Sequence, residues 1–464
     1  MNIDPIRDDF AMLQSAIADG PIVPNVTAGE VRAHLESRFS FKRTLPLEEV
    51  VAEVEQMLRT WQVQVTHPRY FGLYNPSVAL ASVVADTIAA MYNSQLANWR
   101  TSPAANEIER HTLAWLAGKF GLPADSIATF TSGGSEANLT AVVVALTKAF
   151  PEYGEHGIRR LAGDPTIYLT EETHHGFNKI AHMAGLGRRC LRLFATDSNL
   201  KMNVGDLTRC VIEDRSNGLL PFMVIGTAGT TAAGVIDPLS EIARFCATQG
   251  LWFHADAAYG GAAAVSPSLR CHLDGIEAAD SITCDAHKWL SVPMGCGMFF
   301  SPHRGSVAQA FRSDVTYMPA KPASEDLSTT FNPLTHSAQW SRRFIGLKLF
   351  MALAQYGEAG YAEMLDHQAR MGDVLRESLA ATGWRIVNST PLPVVCFTRD
   401  GLVLSELVVA LRERQIAWMS DAEIGGVHAV RACITSFKTT ENDIAWVVEK
   451  MNTLVSNMPR RKTA

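Results

Sequence analysis

Asp285-Ala286-His287-Lys288-Trp289-Leu290 follows the apolar run Ser281-Ile282-Thr283-Cys284 and sets a lysine between a histidine and an aromatic ring. The run has the length and composition of a β-strand, so the lysine stands at a strand end, an odd place for a mere surface charge. A chain burying that ammonium needs a carboxylate partner or a lowered pKa. A desolvated amine loses its proton readily and can then attack an aldehyde carbon to form a Schiff base. Upstream, His254-Ala255-Asp256-Ala257-Ala258-Tyr259 follows Leu251-Trp252-Phe253 and puts a carboxylate at a second strand end. On their own, a strand-end lysine and aspartate are more often structural than catalytic.

The chain of 464 residues has a net charge of −6, with 47% hydrophobic and 19% charged residues. That is ordinary globular composition, long enough for a large domain and a smaller one. The charge balance makes nucleic acid and anionic membrane unexpected partners. The basic stretch Arg460-Arg461-Lys462 reads as a solvated end. No apolar run reaches the length of a membrane span and Met1-Asn2-Ile3-Asp4 opens no signal peptide, so a cytoplasmic location is expected. The eight cysteines are scattered singly and read as small core residues in a reducing compartment rather than disulfides or zinc ligands.

From residue 126 onward, short apolar runs at 127–130, 166–169, 190–194, 222–225, 251–254, 281–284 and 296–300 alternate with helical stretches. The alternation predicts an α/β fold whose large domain holds a mostly parallel seven-stranded sheet. Ligands on such sheets gather outside the carboxyl ends of the strands. Before it, Val50, Val54, Met57, Leu58 and Trp61 recur at helical spacing, and 80–96 reads as a buried helix. Ser102, Pro103 and Gly121 supply an N-cap, a first-turn proline and a C-terminal stop for the next helix. A helical run from 344 to about 382 leads to strands at 385–387, 394–397 and 430–434, with helices at 402–414 and 441–455. The expected division is therefore 1–95 as an N-terminal helical dimerisation segment, 96–345 as the large domain and 346–464 as a small α+β C-terminal domain.

Thr131-Ser132-Gly133-Gly134-Ser135-Glu136 follows the first strand and opens a helix. Glycines admit an anion close to the backbone and the helix N-terminus offers free N–H groups, which makes a phosphate cradle; the plainer reading is a tight turn. The motif is neither GxGxxG nor a P-loop, which argues against dinucleotides and ATP. Thr173-His174-His175-Gly176 ends the second strand, and its paired histidines lack a third ligand at the spacing a metal needs. Gly226-Thr227-Ala228-Gly229-Thr230-Thr231 is a hydroxyl-rich turn, followed by Asp237-Pro238 as the cap of a helix. His67-Pro68-Arg69-Tyr70-Phe71-Gly72-Leu73-Tyr74 is a broken aromatic segment whose plain role is to cover core. Arg100 could hold a second carboxylate on a substrate, although a solvated or ion-paired arginine is commoner.

HADAAYGG followed by DSITCDAHKWL, with the other motifs in this order, resembles the group II pyridoxal-phosphate-dependent decarboxylases, the aromatic-L-amino-acid and glutamate decarboxylase group. The resemblance covers nearly the whole chain. It implies a PLP-dependent transferase-like fold (fold type I), a homodimer with its active site at or near the subunit interface, and pyridoxal 5'-phosphate (PLP) as cofactor. The activity implied is decarboxylation of an L-amino acid to an amine and CO2. Lys288 would form the Schiff base, Asp256 would keep the pyridine nitrogen protonated, and His174 would stack on the ring. Gly134 and Ser135 would hold the phosphate, with Thr227 near the phenolic oxygen or substrate carboxylate and Ala258 against the ring face. His287 would contact phosphate or substrate, and Tyr74 and Arg100 the substrate.

The sequence departs from the family in two places. Ala286 replaces a proline, which alters turn stiffness more than chemistry. In aromatic amino acid decarboxylases a lid tyrosine shortly before an Arg-Arg-Phe motif protonates the carbanion left by CO2. Counting back from Arg342-Arg343-Phe344 puts Phe331-Asn332-Pro333 there, while Tyr317 matches a different, earlier tyrosine. The proton would then come from His174, His336 or water, or dioxygen would intervene to give an aldehyde, as in family members with phenylalanine at that place. Ala97 and Leu73 stand where aromatic decarboxylases carry bulkier aromatics. A cofactor-free scaffold is the remote alternative, and Lys288, Asp256 and His174 together count against it.

Overall fold

The structure, a computed structural model, describes residues 1–312 and 330–458. Seven strands form the larger sheet: β1 (Ile127–Thr131), β2 (Pro165–Thr170), β3 (Leu191–Phe194), β4 (Leu220–Thr227), β5 (Trp252–Asp256), β6 (Ser281–Asp285) and β7 (Gly297–Ser301). Their order is β1-β7-β6-β5-β4-β2-β3. The pairs from β3 through β6 are parallel, and β7 runs antiparallel to both β1 and β6. Every residue of β1, β2, β5, β6 and β7 is buried, which is why these strands read as short unbroken apolar runs rather than alternating ones. The helix Gly134–Ala149 packs across β4 to β7 with its Ala/Val-rich face buried.

A second sheet follows the helix Leu347–Ala381, which is interrupted at Gly357, where φ is 65°. Its strands are β8 (Arg385–Ile386), β9 (Val394–Thr398), β10 (Ser420–Ile424) and β11 (Val427–Cys433), in the order β10-β11-β9-β8 and all antiparallel. The helices Leu404–Glu413 and Glu441–Ser456 enclose with it a separate apolar core that includes Phe397, Leu407, Leu411, Val430, Ile444 and Met451. Phe71 enters that core from the N-terminal part of the chain. Its amide donates to the Trp418 carbonyl, and its own carbonyl accepts from the Cys433 amide. The aromatic segment thus joins the small sheet instead of lying loosely on the large one.

Two caps differ from the sequence expectation. Ser102 precedes the helix Pro103–Lys119, but its hydroxyl donates to the Gln95 carbonyl and makes no cap bond. Asp237 does not cap the helix Leu239–Gln249 either. Its buried carboxylate reaches back and accepts from the amides of Thr227 (2.8 Å) and Met202 (2.7 Å). Those two buried amides need an acceptor inside the fold, and Asp237 supplies it, while its backbone carbonyl accepts from the Leu239 amide at the helix start. All eight cysteines are unpaired, and six are buried. Among the described residues no helix is long and apolar enough to cross a membrane.

Candidate active site

Thr227, Asp256 and Asp285 end three adjacent parallel strands; the pairing Thr227↔Asp256 puts the first two level, and Asp256↔Thr283 sets Asp285 two residues beyond them. A cavity of about 110 Å³ opens outside these ends. Tyr74, Gly134, Ser135, His174, Thr227, Asp256, Ala258 and Lys288 all line it. His287 and Arg100 are not on its wall.

Lys288 sits one turn beyond β6. Its Nζ lies 3.1 Å from Asp285 Oδ2 and 5.8 Å from the centre of the Tyr74 ring. The partner carboxylate that a lysine in this setting needs is therefore three residues before it, and it is itself almost wholly buried. The other Asp285 oxygen has no hydrogen-bond partner among the described residues. His287 is buried beside the same carboxylate, with Nε2 3.7 Å from Asp285 Oδ2. Its Nδ1 accepts from the Cys296 amide, so the neutral ring carries its proton on Nε2. Burial lowers the His287 pKa, and the nearby Asp285 charge opposes that. The ring supports the turn from behind.

Asp256 points into the cavity with each oxygen held by one donor. Oδ1 accepts from the Ala258 amide at 3.2 Å and Oδ2 from Asn138 Nδ2 at 2.9 Å. Asn138 lies one turn into the helix Gly134–Ala149, whose first residues form the Gly-Ser turn. A Cβ at Gly134 would meet Asp285 Oδ2 at 2.8 Å and Ala258 Cβ at 3.4 Å, so this backbone approaches its neighbours as only glycine can. Ser132 closes the turn by donating its amide and hydroxyl to Glu136 Oε2, both at 2.7 Å. The first amides of a helix have no intrahelical acceptors, and Gly134 and Ser135, the first two residues of this one, line the cavity.

His174 keeps solvent access at the cavity rim, yet the surrounding protein desolvates it enough to lower its pKa; Asp256 opposes and Lys288 assists. Its Nδ1 accepts from the Gly176 amide at 3.1 Å, leaving Nε2 to carry the proton. His175 is exposed. His336 is buried with its ring 4.8 Å from Phe331, and burial pushes its pKa down to about 3. Tyr317 lies outside the described residues.

Thr227 Oγ1 is buried on the cavity wall without a partner among the described residues. Tyr74 adopts a left-handed backbone (φ 65°), and its hydroxyl donates to the carbonyls of Thr230 (3.2 Å) and Thr231 (3.1 Å). Its ring lies 4.1 Å from that of Tyr259 and 4.8 Å from the Arg431 guanidinium. Asn138, Asp285 and Tyr259 carried no individual role in the sequence reading, although Asp285 and Tyr259 stand inside quoted motifs and Asn138 lies two residues past one. Only their contacts single them out.

The model of the pyridoxal-dependent decarboxylase conserved domain matches residues 29–399. The chain belongs to the pyridoxal-dependent decarboxylase family. An aromatic-L-amino-acid decarboxylase of Bacillus atrophaeus is 28% identical over 405 residues, covering 85% of this chain and 82% of the relative. A phenylacetaldehyde synthase of Arabidopsis thaliana is 26% identical over 464 residues, 95% of this chain and 93% of that one. The crystal structure of Oryza sativa TDC with PLP and tryptamine superposes with a TM-score of 0.89 at 26% identity, covering 98% of this chain and 99% of that one. This decarboxylase thus has the fold of the PLP decarboxylases and acts on an amino acid with PLP as cofactor. Its own residues fit that group. Gly134 and Ser135 bring a helix N-terminus to the cavity wall, the Thr227 hydroxyl on that wall has no partner among the described residues, and a lysine and a carboxylate stand beside them.

Proposed function

We propose that this pyridoxal-dependent decarboxylase converts an L-amino acid to its amine and CO2 through Lys288, with Asp256 and His174 as the other catalytic groups. When bound, PLP supplies an aldehyde carbon that captures amines and a pyridine ring that draws electrons from the bond that breaks. Lys288 Nζ would hold the aldehyde, and Asp285 Oδ2 balances the charge of the amine whenever it is released. Asp256, with both oxygens already oriented, keeps a proton on the pyridine nitrogen. Gly134 and Ser135 would hold the phosphate, Thr227 Oγ1 would donate beside the ring, and Ala258 would pack on its face. Tyr74 shapes the substrate end of the cavity. His287 would hold the Lys288 turn in place, and it stands beside Gly133 in the turn proposed for the phosphate.

The observation that carries this reading is the meeting of Lys288, Asp256 and His174 on one cavity wall. Replacing CO2 by hydrogen at Cα requires one proton. His174 Nε2 faces that need: it carries a proton in the neutral ring, and the ring keeps solvent access for recharging. His336, buried off the cavity and depressed to about 3, does not serve.

The proposal extends to a cytoplasmic homodimer divided at about 95 and 345. Leu47, Val51, Val54 and Leu58 form one exposed apolar stripe on the helix Leu47–Trp61, which buries no residue within its own chain. A second subunit is the partner that covers such a stripe.

A second reading, oxidative release of an aldehyde, rests on Phe331 in the place of the lid tyrosine. Common L-amino acids scored together for CO2, amine and hydrogen peroxide separate the two. CO2 with equimolar amine supports the proposal, and CO2 with peroxide and ammonia supports the second reading. Lys288→Ala that still turns over substrate and still develops wild-type cofactor absorbance would overturn both.

A further inference from the structure

Behind Asp256 runs a line of hydrogen bonds that the reaction itself does not use. Asn138 donates to Asp256 Oδ2 (2.9 Å), and Asn138 Oδ1 meets His254 Nε2 (3.0 Å). His254 Nδ1 meets Ser281 Oγ (2.8 Å), which also accepts from Trp252 Nε1 (2.8 Å). Trp252, His254 and Asp256 alternate along β5 and so share one face of the sheet, and His254 pairs in register with Ser281 on β6. All five residues are buried.

The Asp256 end orders the protons in this line. A carboxylate oxygen accepts, so Asn138 turns its amide nitrogen to Asp256 and its Oδ1 to His254, since the reverse would set oxygen against oxygen. His254 then donates from Nε2, and its unprotonated Nδ1 accepts the Ser281 hydroxyl hydrogen. The Ser281 oxygen in turn accepts from the indole of Trp252, which only donates. Burial supports this by holding the His254 pKa down to about 4, with Asp256 opposing.

We propose that Asn138, His254 and Ser281 are positioning residues: together they fix the orientation and the charge of the Asp256 carboxylate, and so set how tightly this chain holds its cofactor through the pyridine nitrogen. The inference rests on the proposed role of Asp256. A line that merely satisfied buried polar groups would matter to folding and not to the cofactor.

The experiment titrates apoenzyme with PLP and records the dissociation constant, the absorbance spectrum of the bound cofactor and the apoenzyme melting temperature. Asn138→Ala and His254→Leu should each weaken PLP binding by about tenfold or more, since a hydrogen bond to a charged group is lost or misdirected. Both should alter the bound spectrum. His254→Gln, which can present an N–H to Asn138, should recover most of the affinity. Because the groups act in series, the double variant should bind about as weakly as Asn138→Ala alone. Ser281→Ala, which frees the histidine tautomer with little change in volume, should weaken binding several-fold and serves if His254→Leu does not fold. Folded variants with wild-type affinity and spectrum overturn the relay, whatever their melting temperatures. Asp256→Ala that keeps wild-type affinity and spectrum would instead overturn the cofactor role of Asp256.

Discussion

Lys288 Nζ lies 3.1 Å from Asp285 Oδ2, and the carboxylate is far more buried than the amine it neutralises. Before the amine can attack an aldehyde, this pair must open and the proton must leave. Asp285 also lies against Gly134, in the turn that would receive a phosphate, where its charge repels the incoming anion. Both effects slow loading. Asp285→Asn should therefore speed PLP association with apoenzyme at neutral pH by about two- to fivefold, a modest factor because the amine is partly screened by water. Stopped-flow absorbance measures it, and slower association would refute the account.

Glu109 and Arg342 form a pair with no exposed side-chain surface, 2.6 Å apart. Glu109 also accepts from the Gly346 amide, and Arg342 donates to the Phe130 carbonyl at the start of the site. Burial pushes the Glu109 carboxyl up and Arg342 pulls it back. Glu109→Ala would leave a buried cation without its counter-charge, so a loss of about 3–5 kcal/mol is expected from urea unfolding. Replacing both residues by methionine should cost much less.

Acid should destabilise the apoenzyme steeply. Burial holds His67 and His254 at about 4 and His336 at about 3, against 6.5 in the unfolded chain. A histidine depressed in the folded state takes up a proton on unfolding, so its stabilising contribution is lost as pH falls from 6.5 toward 4. Asp237 acts oppositely, because burial raises it to about 6 and the folded state then binds the extra proton. Three histidines against one carboxylate leave two protons, or about 2.7 kcal/mol per pH unit between roughly pH 6 and 4.5. His174 and His287, also lowered, are balanced in sign by Glu109 and Glu172, which are raised. Urea midpoints at pH 6 and pH 5 test this, and equal midpoints would contradict it.

Gly134→Ala should spare the fold and damage the site. The added methyl would stand 2.8 Å from Asp285 Oδ2, and that carboxylate is tethered by Lys288. Displacing it disturbs the cofactor lysine and narrows the phosphate turn together. PLP affinity should fall by about tenfold or more, with the apoenzyme melting close to wild type. Unchanged affinity would show that the turn does not face the cofactor.

The large sheet was legible because its strands are short, buried on both faces and followed by small polar motifs, as at Phe130 before the Gly-Ser turn and Phe253 before Asp256. The edge strand β10 escaped notice. Its Ser-Asp-Ala-Glu-Ile sequence is mostly polar, and four of its five residues keep some exposure. The lysine and the aspartate were visible as residue types at strand ends. The Asn138 contact was not, since it joins residues 118 positions apart and nothing local marks it. Asp285 stood in plain view three residues before Lys288, but a strand's last side chain can point to either face, and only the turn geometry decides which. The aromatic segment 67–74 divides: the Nδ1 of buried His67 accepts from the Arg69 amide off the cavity, while Tyr74 reaches the cavity wall, a split that residue type alone does not announce.

Thr227, Asp256 and Asp285 owe their mutual spacing to neighbouring strands locked in register, not to loops. On the proposed reading, two groups that would flank the cofactor, and the carboxylate that holds Lys288, thus stand on the buried central sheet. On the same reading, the parts that bear on substrate and product are segments outside these strands, such as 72–77, which puts Tyr74 on the cavity wall, and 330–336, which carries Phe331. Drift in those outer segments can therefore explore new substrates and product outcomes while the inherited chemistry stays intact, which makes this scaffold a good starting point for laboratory redesign.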